Sequence, residues 1–402
     1  MRWLRKFGIS MPLLLAVLVF LLMRPYFVWQ APEIIMILAS VAISIIAATR
    51  ISYKKNKDLL CLLIIAYLFL SLMRGARVGG TIINLSFAFL PFMKMDFLLK
   101  VYEKFRIIII GFFTISMVSY ITVLLGLQTS SELIDPLNDL KQLQYAKFFF
   151  LVLPSTLDGF GRYCSVFDEP GVVGTLAGLM MCVEGFNFKK KGNFIILLNG
   201  LLSLSLFFYL ISAIFLLYRL PGKYKILFVS GVIAFYVLTI DNEVLKIAIW
   251  DRLSFNEDGS LSGDNRNTEE LIVVWDRAKY DVQILFGYGE KFVRDYTESA
   301  SIQLFILRDG LLFVLMYFAV YLLYAKRIMK SNRDFVLFGL ILFLTLYQRP
   351  GFCAIDFTLL FSAYILSKFK KNVSINSSRN LQLSRISRRV FGEHKNSIIQ
   401  RD

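Results

Sequence analysis

The residues of this chain best able to do chemistry are arginines and carboxylates placed between apolar runs. Arg162, Asp168 and Glu169 fall within a short polar segment, 161–171, that closes with Pro170-Gly171 ahead of another apolar stretch. An arginine there can hold an anionic group, and a carboxylate can accept a proton or orient a hydroxyl. Charges at a membrane boundary are hypotheses of function by default. The bland alternative is an interfacial turn in which Arg162 and Glu169 pair with each other and with water. A second set follows about a hundred residues on: Arg252, then Asn265 and Arg266. Guanidinium forks match phosphate oxygens better than the point charge of lysine. Arg252 and Arg266, if they face the same side as Arg162, would clamp a pyrophosphate; otherwise they belong to a solvated acidic loop with ordinary ion pairs.

Other groups narrow the chemistry. The only histidine, His394, sits in a basic tail, so a histidine base or histidine metal site is not available elsewhere. Cys61, Cys164, Cys182 and Cys353 are scattered, with neither disulfide nor zinc spacing. No metal or cofactor is expected. Without a histidine, a carboxylate of raised pKa is the natural base for a hydroxyl. Gly287-Tyr288-Gly289 lacks the lysine or third glycine of a phosphate loop and reads as a glycine turn.

Positioning these residues falls to apolar elements. The chain has 402 residues, 57% of them hydrophobic, which marks a polytopic membrane protein. The net charge of +16 does not argue for nucleic acid, because Lys and Arg cluster at the ends of apolar runs. Candidate spans cover 9–29, 32–49, 59–73, 78–93, 105–127, 171–188, 226–240, 301–324, 335–349 and 352–367, plus the run 193–218. The N-terminal Met1-Arg2-Trp3-Leu4-Arg5-Lys6 and its apolar run lack a small-residue cleavage site and are read as a retained first span. The run 193–218 has basic residues at both ends, Lys189–Lys191 and Arg219–Lys225. Two short crossings, or a re-entrant hairpin turning near Ser203–Ser205, would reconcile them. The total is then about twelve spans, all-α, with both termini inside.

That tally leaves outer loops at about 128–170 and 241–300. The second carries thirteen acids against seven bases, unlike the cytoplasmic loops. Within it an amphipathic helix is expected over Thr268–Val282. Arg74 and Arg77 between the third and fourth spans, and Arg349 between the last two, also fall outside. They breach the positive-inside pattern, which suits an outward anionic ligand or snorkelling to headgroups. The membrane domain is 1–371, and the Ser/Asn/Arg-rich tail 372–402 is expected to be disordered and cytoplasmic. No internal repeat is visible.

With those residues in hand, the chain resembles the Wzy-type O-antigen and exopolysaccharide polymerases and the related O-antigen ligases. The resemblance is carried by Arg162…Phe167-Asp168-Glu169-Pro170-Gly171, by Arg252 and Asn265-Arg266, by Leu285–Gly289, and by Ser301–Leu304 through Asp309-Gly310. It implies a GT-C-like glycosyltransferase of the bacterial cytoplasmic membrane with its active site on the extracytoplasmic side. Its substrate would be an undecaprenyl-pyrophosphate-linked oligosaccharide, with a chain-length regulator membrane protein as a further partner. With the resemblance, Glu169, Arg162 and Arg266 are expected to be catalytic and Arg252, Asp168 and Asn265 to bind substrate; Arg74, Arg77 and Arg349, as outward cations, are expected to bind it too. No histidine stands near Ser299, which favours polymerase over ligase, and no Arg follows the serines at 203–205. A flippase for lipid-linked sugars is the other alternative. It is disfavoured because only one broken helix is visible and intramembrane charges (Glu33, Glu184, Asp356) are few.

Overall fold

The computed structural model describes residues 10–51, 56–75, 78–128, 132–135, 144–155, 162–254, 268–293, 301–352 and 354–368. Arg77, Asn265, Arg266 and the tail 372–402 lie outside them. Helices dominate: α1 Met11–Leu22, α2 Glu33–Ala48, α3 Lys57–Met73, α4 Val78–Phe89, α5 Met95–Leu124, α6 Pro170–Glu184, α7 Asn193–Leu202 and α8 Leu206–Arg219 come first. They are followed by α9 Gly222–Thr239, α10 Glu269–Ala278, α11 Ile302–Asp309, α12 Leu311–Ile328 and α13 Asn332–Gln348. A last helix, α14, covers 355–368.

Among the described residues, α5, α9 and α12 are long and apolar enough to cross a membrane. Six further apolar helices, including α1, α2 and α6, are shorter. Twelve full crossings are therefore not what helix length alone supports. The run 301–324 is also not one helix: Gly310, at φ 91°, separates α11 from α12. A Cβ on Gly310 would lie 2.6 Å from the Phe286 carbonyl carbon, and one on Gly287 would lie 2.5 Å from the Arg308 oxygen. Two backbones meet there, and only glycine permits it.

The chain is not purely α. The loop expected at 128–170 folds into an antiparallel sheet, β1 Glu132–Ile134, β2 Tyr145–Phe148 and β3 Leu151–Pro154, in the order β1-β2-β3. Leu151, Val152 and Leu153 are buried, so β3 faces the helices.

Ion pairs fix the direction of neighbouring helices. Asp58 at the start of α3 pairs with Arg327 at the end of α12, while Arg74 at the end of α3 pairs with Asp309 just before α12. The two helices therefore run antiparallel. Arg219 at the end of α8 meets Asp334 at the start of α13, 2.7 Å apart. The run 193–218 breaks at Leu204, φ 47°, and both halves pack on α6. A Cβ on Gly174 would lie 2.2 Å from Cβ of Ser205, so the break docks on the first turns of α6. Further along α6, one on Gly178 would meet the Ile211 side chain at 2.7 Å, and Phe186 stacks on Phe215. The second half thus returns along α6 away from the break. The hairpin expected at Ser203–Ser205 is present.

The core is a continuous aromatic and aliphatic cluster that includes Tyr67, Phe105, Phe313, Phe338 and Phe352. By contrast α9 buries no residue at all. An apolar helix with no protein cover is suited to a lipid environment.

Candidate active site at the Arg349 end of the bundle

The segment 162–169 is built into the core rather than laid over it. Tyr163, Cys164, Val166 and Phe167 are buried. The Tyr163 hydroxyl donates to Oδ1 of Asn199 on α7. Ser165 sits at φ 55°, a conformation that costs a non-glycine residue about 1 kcal/mol or more. Its surroundings hold it there: its carbonyl accepts from the Val152 N–H at 3.0 Å, and its hydroxyl donates to Ser116 Oγ at 2.9 Å. The neighbouring Val166 carbonyl accepts from the Tyr26 N–H at 2.8 Å, and the Asp168 carbonyl accepts from the Tyr145 hydroxyl at 2.6 Å. Helix, sheet and hairpin together thus hold the segment, while Arg162 at its start is exposed.

The interfacial-turn alternative required Arg162 and Glu169 to pair with each other. They do not. Glu169 instead pairs with Nη2 of Arg349, which follows α13. A Cβ on Gly171 would lie 2.8 Å from that nitrogen, so glycine at this position admits the guanidinium. The buried Asp356 at the start of α14 is also within electrostatic reach of Arg349. Glu169 remains 40% exposed at its side chain and faces a cation. Glu169 is therefore set up first as an orienting group.

Arg252 comes from far along the chain. A π-helical turn, Lys246–Trp250, leads into a 3-10 turn, Asp251–Leu253. Trp250 anchors it, donating from Nε1 to Thr239 Oγ1 at 3.1 Å and packing edge-on against Tyr236. Burial pulls the Arg252 guanidinium below its ordinary pKa, and the Arg162 charge nearby pulls it further in the same direction. Two arginines about ninety positions apart in sequence are thus within electrostatic reach of each other. Among the described residues, no carboxylate pairs with either. Like charges within reach of each other create a positive potential that an anion would relieve.

Arg74 behaves differently. Its Nε and Nη2 each lie 2.7 Å from an oxygen of Asp309, whose side chain is fully buried. Arg308 reaches the same carboxylate at 3.0 Å and extends to Glu290 at 3.6 Å. Both guanidinium groups lie over the Phe305 ring, which packs on Phe352 with centroids 4.4 Å apart. Arg74 is taken up in this brace through its Nε and Nη2, while 21% of its side chain remains exposed. The glycine turn sits on the same brace: Tyr288 N–H donates to the Leu307 carbonyl at 2.7 Å. Arg308 went unnoticed in the sequence, although its position next to Asp309-Gly310 was a signal.

The expected helix at 268–282 is found in part. Thr268 caps α10, its hydroxyl accepting from the Leu271 N–H at 3.3 Å, and Leu271 and Ala278 pack on Leu304 and Leu307. It ends at Ala278, after which Asp281 caps a separate 3-10 turn. Among the described residues no cluster of His, Cys, Asp and Glu could hold a metal.

No protein-family model, curated protein or solved structure matches the chain. The assignment of function therefore rests on the chemistry of the site.

Proposed function

We propose that this chain is an integral-membrane glycosyltransferase that polymerises lipid-linked oligosaccharide repeats at the extracytoplasmic face of a bacterial cytoplasmic membrane. About twelve passes, the shorter helices and the hairpin halves included, would place both termini inside. The growing glycan leaves undecaprenyl pyrophosphate and joins the terminal sugar of a new lipid-linked unit. In bond terms, the acceptor hydroxyl oxygen attacks the anomeric carbon as the bond from that carbon to the pyrophosphate oxygen breaks. The hydroxyl proton passes to a carboxylate or to the departing phosphate, and no redox change occurs.

The single observation that carries this reading is the convergence of Arg162 and Arg252, which fits a pyrophosphate that gains charge as it leaves. Glu169 and Arg349 stand on the same short segment as Arg162 or against it. A phosphate competing for Arg349 would release Glu169 to orient the acceptor hydroxyl and take its proton. Asp168 and, from the outer loops, Asn265, Arg266 and Arg77 complete the proposed set. A membrane-embedded chain-length regulator is the proposed protein partner.

The test is a glycan ladder on a gel from cells whose only copy carries Arg162→Ala, Arg252→Ala or Arg266→Ala. Each variant is expected to leave single repeat units in place of long chains. A normal ladder from the Arg162 and Arg252 variants would overturn the site. Absence of any outward-facing lipid-linked unit in a null strain would instead indicate a flippase.

A further inference from the structure

A second recess lies beside the sheet, away from the arginine pair. Its volume is about 520 Å³, and its walls include Tyr26, Phe27, Trp29 and Phe150 on the aromatic side. Glu132, Lys147, Gln30 and Asp135 supply the polar side. That volume falls in the range of small-molecule sites, roughly 300–1,000 Å³. The aromatic side is not simply spare core: Phe27 is 44% exposed. Lys147 reaches Glu132, and the Asp135 carboxylate accepts from Gln144 at 3.2 Å; these are exposed contacts that a ligand hydroxyl can replace at little cost.

We propose that this cleft is a glycan-binding subsite that holds a sugar of the polymer while the arginine pair handles the pyrophosphate; in its biological use it rests on the polymerase reading. The C–H face of a pyranose carries partial positive charge and meets the negative face of an aromatic ring. Its hydroxyls donate to carboxylates and accept from ammonium and amide N–H. The wall mixture supplies both. Among the described residues of the lining, two carboxylates stand against one ammonium, which disfavours a phosphate or an anionic lipid headgroup. An acyl chain would leave the polar side without partners. The cleft is also mechanically joined to the site. Trp29 packs edge-on against Tyr145 at 5.4 Å, and the Tyr145 hydroxyl donates to the Asp168 carbonyl at 2.6 Å, one residue from Glu169. A sugar resting on Trp29 would therefore lie one side chain away from the segment that carries Arg162 and Glu169.

The experiment uses the full-length protein in nanodiscs and a panel of soluble neutral and acidic mono- and disaccharides, read by saturation-transfer NMR. The expected result is saturable binding of at least one sugar. Binding should weaken about tenfold, the scale of losing one aromatic anchor, in Phe27→Ala and Trp29→Ala. Glu132→Gln with Asp135→Asn should weaken it as well, whereas Arg162→Ala and Arg252→Ala should leave it unchanged. Phe27 is exposed and Glu132 and Asp135 are surface groups, so those variants keep the test open if Trp29→Ala fails to fold. No saturable sugar, or binding indifferent to Phe27 and to the two carboxylates, would overturn the subsite. Saturable binding of an acyl-chain detergent in place of sugars would overturn it too. If sugars bind as expected while a null strain shows no outward-facing lipid-linked unit, the polymerase reading falls and the cleft stands; a normal ladder from the arginine variants would remove only the arginine site. If the arginine variants lose the ladder and no sugar binds, the cleft falls alone.

Discussion

Two arginines of the same end of the bundle have opposite fates, and the difference is set by one carboxylate. Arg74 grips Asp309, which is fully buried, through two 2.7 Å contacts. Arg252, among the described residues, meets no carboxylate and feels the charge of Arg162. Stripping one partner from a buried pair leaves an uncompensated charge and costs about 3 kcal/mol or more. Arg74→Gln is expected to cost roughly 3 kcal/mol, at the low end because Arg308 remains on Asp309. Thermal unfolding in detergent should show a clear drop in Tm. Arg252→Gln removes a repulsion instead and should leave Tm the same or raise it, while abolishing chain extension. A Tm unchanged by Arg74→Gln would remove the brace from the account of the fold. Sequence could name both arginines as outward cations. It could not tell them apart, since Asp309 lies 235 positions from Arg74.

At the scale of elements, the hairpin α7–α8 depends on glycine at its contacts. A Cβ at Gly174 would meet Ser205 at 2.2 Å, and one at Gly200 would meet the Phe208 ring at 2.2 Å. Overpacking of this kind costs about 1–3 kcal/mol. Gly174→Ala and Gly200→Ala are therefore expected to lower Tm and to loosen the hairpin, seen as faster amide exchange over 199–206. Gly111 on α5 is the control, with nothing within 4 Å of the added methyl. Gly111→Ala should be neutral or stabilise by about 0.5–1 kcal/mol, as for glycine replaced within a helix. Equal effects at the three positions would mean the hairpin does not dock on α6 as described. The hairpin was legible because basic residues flank both ends of one apolar run. The sheet was not, because strands of three or four residues in a loop leave too little periodicity to read.

At the scale of the whole molecule, ion pairs segregate to two levels. Asp58–Arg327, Arg106–Glu184 and Arg219–Asp334 lie toward one end, with Arg74–Asp309 and Arg349–Glu169 toward the other. If the proposed orientation holds, cysteine placed at Lys147 or Lys279 reacts with an impermeant maleimide on intact cells. Cysteine at Lys189 or Lys330 should react only after permeabilisation. The reverse pattern would invert the orientation and move the proposed site to the cytoplasm. What the sequence determined by itself is the class of chain: apolar runs near bilayer length with lysines and arginines at their ends. Those are local properties, fixed by composition and order along the chain. Only the tertiary structure decided which arginines meet a carboxylate and which, among the described residues, do not. That outcome depends on which carboxylate each one meets, and the Arg74–Asp309 pair, the approach of Arg349 over Gly171 and the return of Arg252 to within electrostatic reach of Arg162 all join distant parts of the chain.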